Sequence, residues 1–234
     1  MRSALTRLAV PLVGYGLGMI PSADVASRLA GGPNLRSAGS GNPGATNAAA
    51  VLGARYGLAV LAVDITKGAV ASRLGQRWGG ATGAQLAGTA AVVGHCYPAW
   101  NGFHGGKGVA TSVGQVLATL PVYAPIDAAV AVATAASPRW KRRAFAATTV
   151  SSAVWVAGAT LWWRRGWSTG WGPEPTVALP LGALASSLVI YNRFRTAAPP
   201  EAGPDPREDW APGAGAAEGR ALNGSQPHPV VEQS

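Results

Sequence analysis

Three features of the sequence predict an all-α fold, a polytopic bundle of membrane-spanning helices followed by a disordered tail. Only 12% of the 234 residues are charged and 48% are hydrophobic, whereas an ordinary soluble protein has roughly 25% charged residues. Apolar windows recur between residues 4 and 192, most of them close to the roughly 20 residues that a span requires. Seven tryptophans fall at predicted window ends, as in the aromatic belts of membrane proteins.

The windows predict about seven transmembrane helices. They cover residues 4–28, 48–75, 81–98, 108–136, 144–163 and 176–192. The fourth window is too long for one span and contains Pro121 and Pro125, and proline breaks or kinks a helix interior. Splitting it there gives two short helices and a total of seven, with six as the alternative.

The first window is interpreted as a retained helix. It begins with basic residues and has an apolar core, as a signal peptide does, but no small-residue cleavage site closes it. Its small residues, as in "GYGLG" from Gly14 to Gly18, are typical of helices that pack closely in lipid. We therefore expect a tightly packed bundle.

Charge separates the chain into two predicted regions. Residues 1–196 form the membrane domain, with seventeen basic and four acidic side chains and a net charge of +13. Residues 197–234 are rich in Pro, Gly, Ala and acidic residues, a composition that cannot bury a core and indicates a disordered tail. The basic excess has two interpretations, which are attraction to anionic lipid headgroups and binding of anionic substrates.

The distribution of basic residues also predicts the orientation in the membrane. With seven spans, the loops at residues 29–47, 99–107 and 137–143 share one side with the tail, and this side has more Lys and Arg than the other. The positive-inside rule then places these loops and the tail in the cytoplasm.

Cysteine usage excludes two kinds of chemistry. Cys96 is the single cysteine of the chain, so no intrachain disulfide can form and no Cys-based metal site is expected. We expect no metal and no cofactor.

The first polar island is "RSAGSGNPGATN", from Arg36 to Asn47. Its glycines, proline and short polar side chains are typical of a loop whose backbone N–H groups turn toward an anion. A helix that begins beside it would add a partial positive charge. The alternative is an ordinary turn followed by a capped helix.

The second island is "GHCYPAWNGFHGGKGVAT". A nucleotide-binding P-loop requires Gly, four residues and then Gly-Lys-Ser/Thr, but Asn101 stands in the place of the first glycine and Gly108 follows Lys107. A nucleotide site is therefore excluded. A lysine on a Gly105-Gly106 hinge, with backbone donors of the next helix nearby, suits a phosphomonoester or an acyl phosphate.

Two further features lie between or beside these islands. Asp64 and Lys67 occur in an otherwise apolar window, where a charge costs about 2.5–3.5 kcal/mol but an i,i+3 pair can neutralise itself. The pair is interpreted as a structural ion pair, with a role in positioning a site as the second interpretation.

His95, at a predicted helix end, is either a general base or a structural residue.

Taken together, "GSGNPGATN", "DITKG" and "GHCYPAWNGFHGGKGVAT" resemble the motifs of the bacterial membrane-integral, acyl-phosphate-dependent glycerol-3-phosphate acyltransferases. The resemblance covers most of residues 10–115, with the three motifs in the same order and at similar spacings. It implies transfer of a fatty acyl group from acyl phosphate to the 1-hydroxyl of glycerol 3-phosphate, giving lysophosphatidic acid and phosphate. The implied partners are these two substrates and membrane lipids, without nucleic acid, at the bacterial plasma membrane.

The resemblance also implies which residues form the site. The catalytic candidates are Lys107, His95 and Ser40, of which Ser40 is expected to bind substrate rather than to act as a nucleophile. The substrate-binding candidates are Gly41, Asn42, Gly44, Thr46, Asn47, Gly105, Gly106, Gly108, Thr111, Asn192 and Arg193.

The chain departs from the family pattern at several positions. Ala50 replaces an arginine, His104 replaces a lysine, and "YNRFRT" around Asn192 to Arg195 lacks the histidine of a His-Arg-x-Asn motif. Arg55 is a candidate to replace the lost arginine. Candidates for a missing serine motif are Thr148, Thr149 and Ser151.

These departures leave two alternatives to an active acyltransferase. One is a family member that binds a ligand or regulates without turnover. The other is a small-anion transporter, suggested by the charged pair inside the membrane.

Overall fold

The computed structural model describes residues 4–140 and 142–196, with side chains from Ala9 onward. Every regular element in these residues is helical, which confirms the all-α prediction. The helices are α1 (Ala4–Gly18), α2 (Ser22–Ala30), α3 (Ala45–Leu52), α4 (Ala54–Cys96), α5 (Val109–Thr119), α6 (Ala124–Ala136), α7 (Arg143–Arg165) and α8 (Ala178–Thr196), with short 3₁₀ turns at Ala99–Asn101 and Pro121–Tyr123. The predicted tail, residues 197–234, lies outside the described residues.

The first predicted helix is broken in two. The window 4–28 contains α1 and α2, separated by residues 19–21. Pro21 stands at the break, where its missing N–H and fixed φ prevent a continuous helix. The prediction of a single helix in this window is therefore wrong in detail, and the break itself becomes part of the site described below.

Two glycines with positive φ divide the next region. Gly53, with a φ of 98°, separates the short helix α3 from α4. Gly80, with a φ of 63°, interrupts α4 so that it consists of two helices across a kink. These values lie in the region that glycine adopts without steric cost. The kink falls between the second and third predicted windows, as the sequence predicts.

The long fourth window is also divided as predicted. The helix α5 ends at Thr119, and Pro121 opens a 3₁₀ turn that leads into α6. The two segments are bent by 120° relative to each other. The proline pair thus produces two short helices rather than one long span.

By length and hydropathy, two described stretches can cross a membrane, Ala9–Ala30 and Arg143–Arg165, and the bent pair α5–α6 is a third candidate. The other windows are helical but too short or too polar for this criterion. In α4, the charged residues Asp64 and Lys67 lower the hydropathy of the helix. Both are nevertheless buried in the bundle, with exposures of 1% and 4%. Such buried polar groups lower the hydropathy of a helix that still faces its neighbours in the bundle.

Close backbone contacts hold α1 against α4. A Cβ at Gly14 or Gly18 would overlap the backbone of Ala87 or Ala91. Between α4 and α5, a Cβ at Gly68 would overlap the Thr111 carbonyl oxygen. These glycines let the helix axes approach, as small residues do in lipid.

A polar network ties three helices together in the interior. Gln115 Nε2 donates to Gln85 Oε1 at 3.0 Å, and Ser186 Oγ donates to Gln115 Oε1 at 2.7 Å. Thr89 Oγ1 lies 3.0 Å from Ser186 Oγ. These residues fix α4, α5 and α8 relative to one another, because buried polar groups without partners are costly.

The three basic loops lie at one end of the bundle. The Arg36 guanidinium stacks 5.4 Å above the Trp100 ring, and Lys107 Nζ lies 4.7 Å from the centre of the Phe194 ring. Phe145, in the first turn of α7, packs 5.8 Å from Phe194. The fold therefore gathers the sequence motifs at the end where the basic loops meet.

The spacing of the α1 glycines gives a matched test of this packing. We expect Gly14→Ala to destabilise the protein by about 1–3 kcal/mol, the usual cost of overpacking, because its Cβ would overlap Ala87. Gly16→Ala should be neutral or slightly stabilising, because no atom lies within 4 Å of its Cβ and alanine favours helix. Thermal unfolding in detergent measures both; equal melting temperatures would contradict the packing assignment.

Candidate active site

The break between α1 and α2 exposes carbonyl groups that bind side chains from elsewhere. Lys67 Nζ donates to the Ile20 carbonyl at 2.8 Å and to the Gly18 carbonyl at 3.4 Å. Trp100 Nε1 donates to the Met19 carbonyl at 2.9 Å. Backbone groups freed inside a membrane protein require partners, so Lys67 and Trp100 stabilise the broken helix.

Asp64 is the centre of a buried polar cluster beside this break. Its Oδ1 accepts hydrogen bonds from Lys67 Nζ at 2.7 Å and from Ser22 Oγ at 2.6 Å. His95 Nδ1 lies 3.6 Å from the same oxygen. His95 is 8% exposed, and its imidazole lines a cleft beside this carboxylate. The predicted ion pair between Asp64 and Lys67 is therefore confirmed, and the role of this pair in positioning a site stays a prediction.

The cleft itself is formed by both polar islands. Arg36 and Pro43 line it from the first island, and His95, Trp100 and the double glycine line it from the second. Lys67 and Ser22 also line it. The two islands predicted to act together are thus brought to one place.

Asn47 shapes the first island. Its side-chain nitrogen donates to the carbonyls of Leu35 at 2.9 Å and Ala38 at 3.0 Å, and its oxygen accepts from the Ser40 N–H at 2.9 Å. Both amide hydrogens are therefore used within the loop. Asn47, predicted to bind substrate, acts in this structure as the residue that fixes the loop.

Arg36 adds a charged group to the cleft. It forms an ion pair with Asp24 in α2 and stacks on Trp100. Its Nε and the second carboxylate oxygen of Asp24 are buried without hydrogen-bond partners. Unpartnered buried polar atoms are costly, and the two residues that carry them both line the cleft.

The double glycine of the second island lies between His95 and the cationic side chains that contact α8. A Cβ on Gly106 would overlap Nε2 and the ring carbons of His95, and a Cβ on Gly105 would overlap the His95 carbonyl oxygen. The N–H of Gly106 donates to that carbonyl at 3.0 Å. His95 lies on the cleft side of the double glycine. Lys107, the residue after Gly106, contacts Phe194 of α8.

Lys107 and Arg193 form a pair of cations on the α8 side. Arg193 donates from Nη2 to the Gly105 carbonyl at 2.8 Å and from Nε to the Gly106 carbonyl at 3.2 Å. Burial lowers the pKa of Lys107 below its usual range, and the nearby Arg193 guanidinium lowers it further. In the described part of the chain neither side chain forms an ion pair with a carboxylate. This arrangement suits an anion.

The other predicted site residues of the first island lie near the cleft but do not line it. In the first island, Ser40, Gly41 and Thr46 are exposed, and Asn42 and Gly44 are half-buried; none of these five lines the cleft. They flank Pro43, which does. The helix α3 begins at Ala45, so the expected helix N-terminus lies beside this loop.

In the second half of the site, Asn192 Nδ2 donates to the Tyr97 hydroxyl at 2.8 Å. Gly108, with a φ of 84°, precedes α5 and packs against Cys96 and Ile190. Thr111 is fully buried where α5 meets α4. Thr111 therefore belongs to the helix contact rather than to the cleft.

The positions that depart from the family pattern are distributed over the surface and one groove. His104 is exposed and its Nδ1 lies 2.6 Å from the Gly102 carbonyl oxygen. Ala50 is exposed, and Arg55 stacks 4.7 Å from the Tyr56 ring without lining the cleft. Arg55 therefore does not replace the lost arginine in the cleft as described.

The candidates for the serine motif also separate. Ser151 Oγ donates to Asp127 Oδ1 at 2.5 Å, between α7 and α6. Thr148 and Thr149 line a groove between α7 and α8. Only the two threonines thus lie on the side of Lys107 and Phe194.

Sequence reasoning gave no role in the site to Ser22, and it treated Arg36 only as part of a loop. The signal for Ser22 is the dipeptide Pro21-Ser22 inside an apolar window, which marks a helix break. Trp100 was assigned to the aromatic belt, but its N–H closes the cleft against α1.

A family model described as glycerol-3-phosphate acyltransferase matches residues 8–197 of this chain. The chain belongs to that family. A glycerol-3-phosphate acyltransferase of Rhizobium etli is 40% identical over 133 residues, which are 57% of this chain and 65% of that relative. The chain thus spans just under two thirds of the length of that relative.

Two solved structures are also similar. The crystal structure of PlsY (YgiH), an integral membrane glycerol 3-phosphate acyltransferase, in its glycerol 3-phosphate form is 31% identical, with a TM-score of 0.66 over 80% of this chain and 88% of that chain. Its lysophosphatidic acid form is 29% identical, with a TM-score of 0.65 over 80% and 87%. The family resemblance and the membrane-embedded helical fold are confirmed.

The Asp64 cluster predicts a large stability effect for one substitution. Asp64→Asn would leave Lys67 buried without its carboxylate, and breaking a buried pair in this way costs about 3–5 kcal/mol. Asp127→Asn is the matched control, since the recorded partner of Asp127 is the neutral Ser151 hydroxyl, and it should cost less. Both melting temperatures are measured in detergent; an equal decrease would show that the ion pair is not the source of the loss.

Proposed function

We propose that this chain transfers a fatty acyl group from acyl phosphate to the 1-hydroxyl of glycerol 3-phosphate. The hydroxyl oxygen attacks the acyl carbonyl carbon, and the new ester C–O bond forms. The bond between that carbon and the phosphate oxygen breaks, and phosphate leaves with the electron pair. The products are lysophosphatidic acid and inorganic phosphate, after the hydroxyl has lost its proton.

The observation that carries this proposal is the position of Gly105 and Gly106. His95 lies on one side of this double glycine, at the cleft, and Lys107 with Arg193 lies on the other side. Two substrates, one bound in the cleft and the other at Lys107 and Arg193, would be separated by backbone alone. Proximity of this kind supplies a large part of the rate acceleration when two substrates react.

In this proposal Lys107 and Arg193 bind the phosphate of the acyl donor. They carry two positive charges without a carboxylate among the described residues, and the leaving phosphate gains negative charge as the C–O bond breaks. Cations placed where charge develops stabilise the transition state. Arg193 also holds the Gly105 and Gly106 carbonyls, so it positions the loop that carries Lys107.

Glycerol 3-phosphate occupies the cleft in this proposal. Arg36 and the N–H groups at the start of α3 attract its phosphate, as helix N-termini attract anions. Ser40 and its neighbours at the exposed side of the loop bind it as it enters. His95 accepts or orders the hydroxyl proton, with its Nδ1 directed to Asp64 and its Nε2 directed toward Gly106.

The orientation belongs to the same proposal. Glycerol 3-phosphate is water-soluble and enters from the end where the basic loops meet, and the excess of Lys and Arg supports a cytoplasmic location of that end. The acyl donor arrives from the plasma membrane. The PlsY structures are described as glycerol 3-phosphate and lysophosphatidic acid forms, and these ligands match the proposed substrate and product.

The experiment that tests the proposal uses the purified full chain in detergent or lipid. Palmitoyl phosphate and glycerol 3-phosphate are supplied without metal or nucleotide, and lysophosphatidic acid is measured by mass spectrometry. Product formation supports the enzyme. Substrate binding without product by folded protein favours the non-catalytic alternative. Anion flux in proteoliposomes without substrates favours the transporter. In the structure, Lys67 is already bound by Asp64 and by the carbonyls of Gly18 and Ile20.

Lys107→Ala should lower kcat by on the order of 10²–10³-fold, as removal of a transition-state donor does in other enzymes. The control is Arg55→Ala, which removes an exposed cation stacked on Tyr56 and should leave turnover within about twofold, because surface substitutions have small effects. The measurement is the initial rate at saturating concentrations of both substrates. Equal losses in the two variants would assign the effect to overall charge.

The lowered pKa of Lys107 predicts the alkaline limb of the pH profile. The lysine must be protonated to bind phosphate, so affinity is present below its pKa and falls as the pH rises through it. Since burial and Arg193 lower that pKa, the fall should begin below the pH at which an ordinary lysine titrates. Lys107→Arg should move the limb to higher pH, because arginine stays charged. An unchanged limb in kcat/KM would contradict this assignment.

A further inference from the structure

Three consecutive residues of α8 each contact a different point of the segment that links α4 to α5. The three contacts are Asn192 to Tyr97, Arg193 to the carbonyls of Gly105 and Gly106, and Phe194 to Lys107. The second and third contacts hold the loop and the lysine that bind phosphate in the proposed function. The first contact, 2.8 Å between Asn192 Nδ2 and the Tyr97 hydroxyl oxygen, has no role there.

Tyr97 is held in place by contacts with α1 and α4. It directly follows α4, and its backbone N–H donates to the Val93 carbonyl at 2.7 Å. Its own carbonyl accepts a hydrogen bond from the Tyr15 hydroxyl of α1 at 2.7 Å. Its side chain packs against the core cluster that contains Cys96 and Ile190. The hydroxyl is therefore presented to α8 from a position that two other helices fix.

The last turn of α8 depends on contacts of this kind for its orientation. The final carbonyl groups of a helix have no partners within the helix, and Asn192 is exposed. Successive residues project about 100° apart around a helix axis, because a turn contains 3.6 residues. A hydrogen bond from Asn192 to a fixed acceptor therefore also sets the directions in which Arg193 and Phe194 project.

The contact lies where the chain departs from its family. In the His-Arg-x-Asn motif the histidine directly precedes the arginine, and in this chain Asn192 directly precedes Arg193. An imidazole N–H and a carboxamide N–H are both hydrogen-bond donors. Asn192 thus keeps a donor at this position, and the Tyr97 hydroxyl accepts from it.

We infer that Tyr97 is a positioning residue of the proposed acyltransferase site. Its hydroxyl fixes Asn192, and with it the turn of α8 that places Arg193 beside the double glycine and Lys107. The two cations that bind the phosphate of the acyl donor are then held in one arrangement. This inference rests on the proposed function, because the bound phosphate belongs to that reaction.

The test compares two phenol hydroxyls that each form one hydrogen bond with Tyr97. Tyr97→Phe removes the bond to α8, and Tyr15→Phe removes the bond to α1. Tyr97→Phe should lower kcat/KM for palmitoyl phosphate by about threefold to tenfold, the equilibrium equivalent of one net hydrogen bond. It should leave the KM for glycerol 3-phosphate within about twofold, whereas a general loss of folded structure would change both. Tyr15→Phe should leave both parameters within about twofold.

A double-mutant cycle tests whether Tyr97 acts through Asn192. Asn192→Ala removes the donor of the same hydrogen bond. Adding Tyr97→Phe to Asn192→Ala should therefore lower kcat/KM by less than about twofold further, since two residues that share one interaction are not additive. A loss of full size in both backgrounds would overturn the inference, because the hydroxyl would then act without Asn192.

A binding measurement separates this inference from the proposed function. Decyl phosphate has no acyl group to transfer, and its binding is measured by the shift in melting temperature. Weaker binding by Tyr97→Phe than by Tyr15→Phe supports the inference even where no lysophosphatidic acid forms, and the missing product would then overturn the proposed activity alone. Equal kinetics and equal binding in the two variants would overturn the inference. Lysophosphatidic acid formation by the unsubstituted protein would in that case leave the proposed function in place.

Discussion

The interaction on which the site depends is the ion pair between Asp64 and Lys67. The pair compensates its own charges inside the bundle, and Lys67 then supplies donors to carbonyls left open at the break before α2. Without it the carbonyls of Gly18 and Ile20 would lose a charged donor at the break, which is unfavourable. The same carboxylate also binds Ser22 and faces His95. One buried acid thus connects the helix break, the helix α4 and the cleft.

Glycine residues make the second contribution to the fold and the site, because they lack a Cβ atom. Gly14 and Gly68 allow α1 and α5 to approach the backbone of α4, and Gly106 allows the loop to lie against the imidazole of His95. In the first two cases glycine serves packing, and in the third it serves the site. A membrane domain so rich in glycine is therefore closely packed where its helices meet.

The sequence was sufficient to predict much of the fold and the pairing of the two islands. Hydropathy located the helical windows, and excess length together with Pro121 located the break between α5 and α6. The break at Pro21 was missed, because a proline near the end of a window does not by itself divide it. The positive φ of Gly53 was equally hidden, since nothing distinguishes that glycine from the many others before tertiary contacts are known.

Long-range contacts account for the rest of the site. The i,i+3 spacing predicted the Asp64–Lys67 pair, but not its contacts with Gly18 and Ile20, which are more than forty residues away. Family resemblance pointed to Arg193, but only the fold reveals that it binds the carbonyls of the double glycine. Asn47 was predicted as a ligand, and the fold reveals in addition that it holds its own loop.

The double glycine also has a consequence for inhibitor chemistry. Because backbone alone stands between His95 and the cations of Lys107 and Arg193, the two proposed substrate sites lie close together on either side of one loop. A bisubstrate analogue, with a polyol phosphate joined to an alkyl tail through a tetrahedral, non-hydrolysable centre, would span both. In the proposed reaction it would gain the binding of two substrates for the association entropy of one, and a side chain placed at Gly106 would overlap the ring of His95.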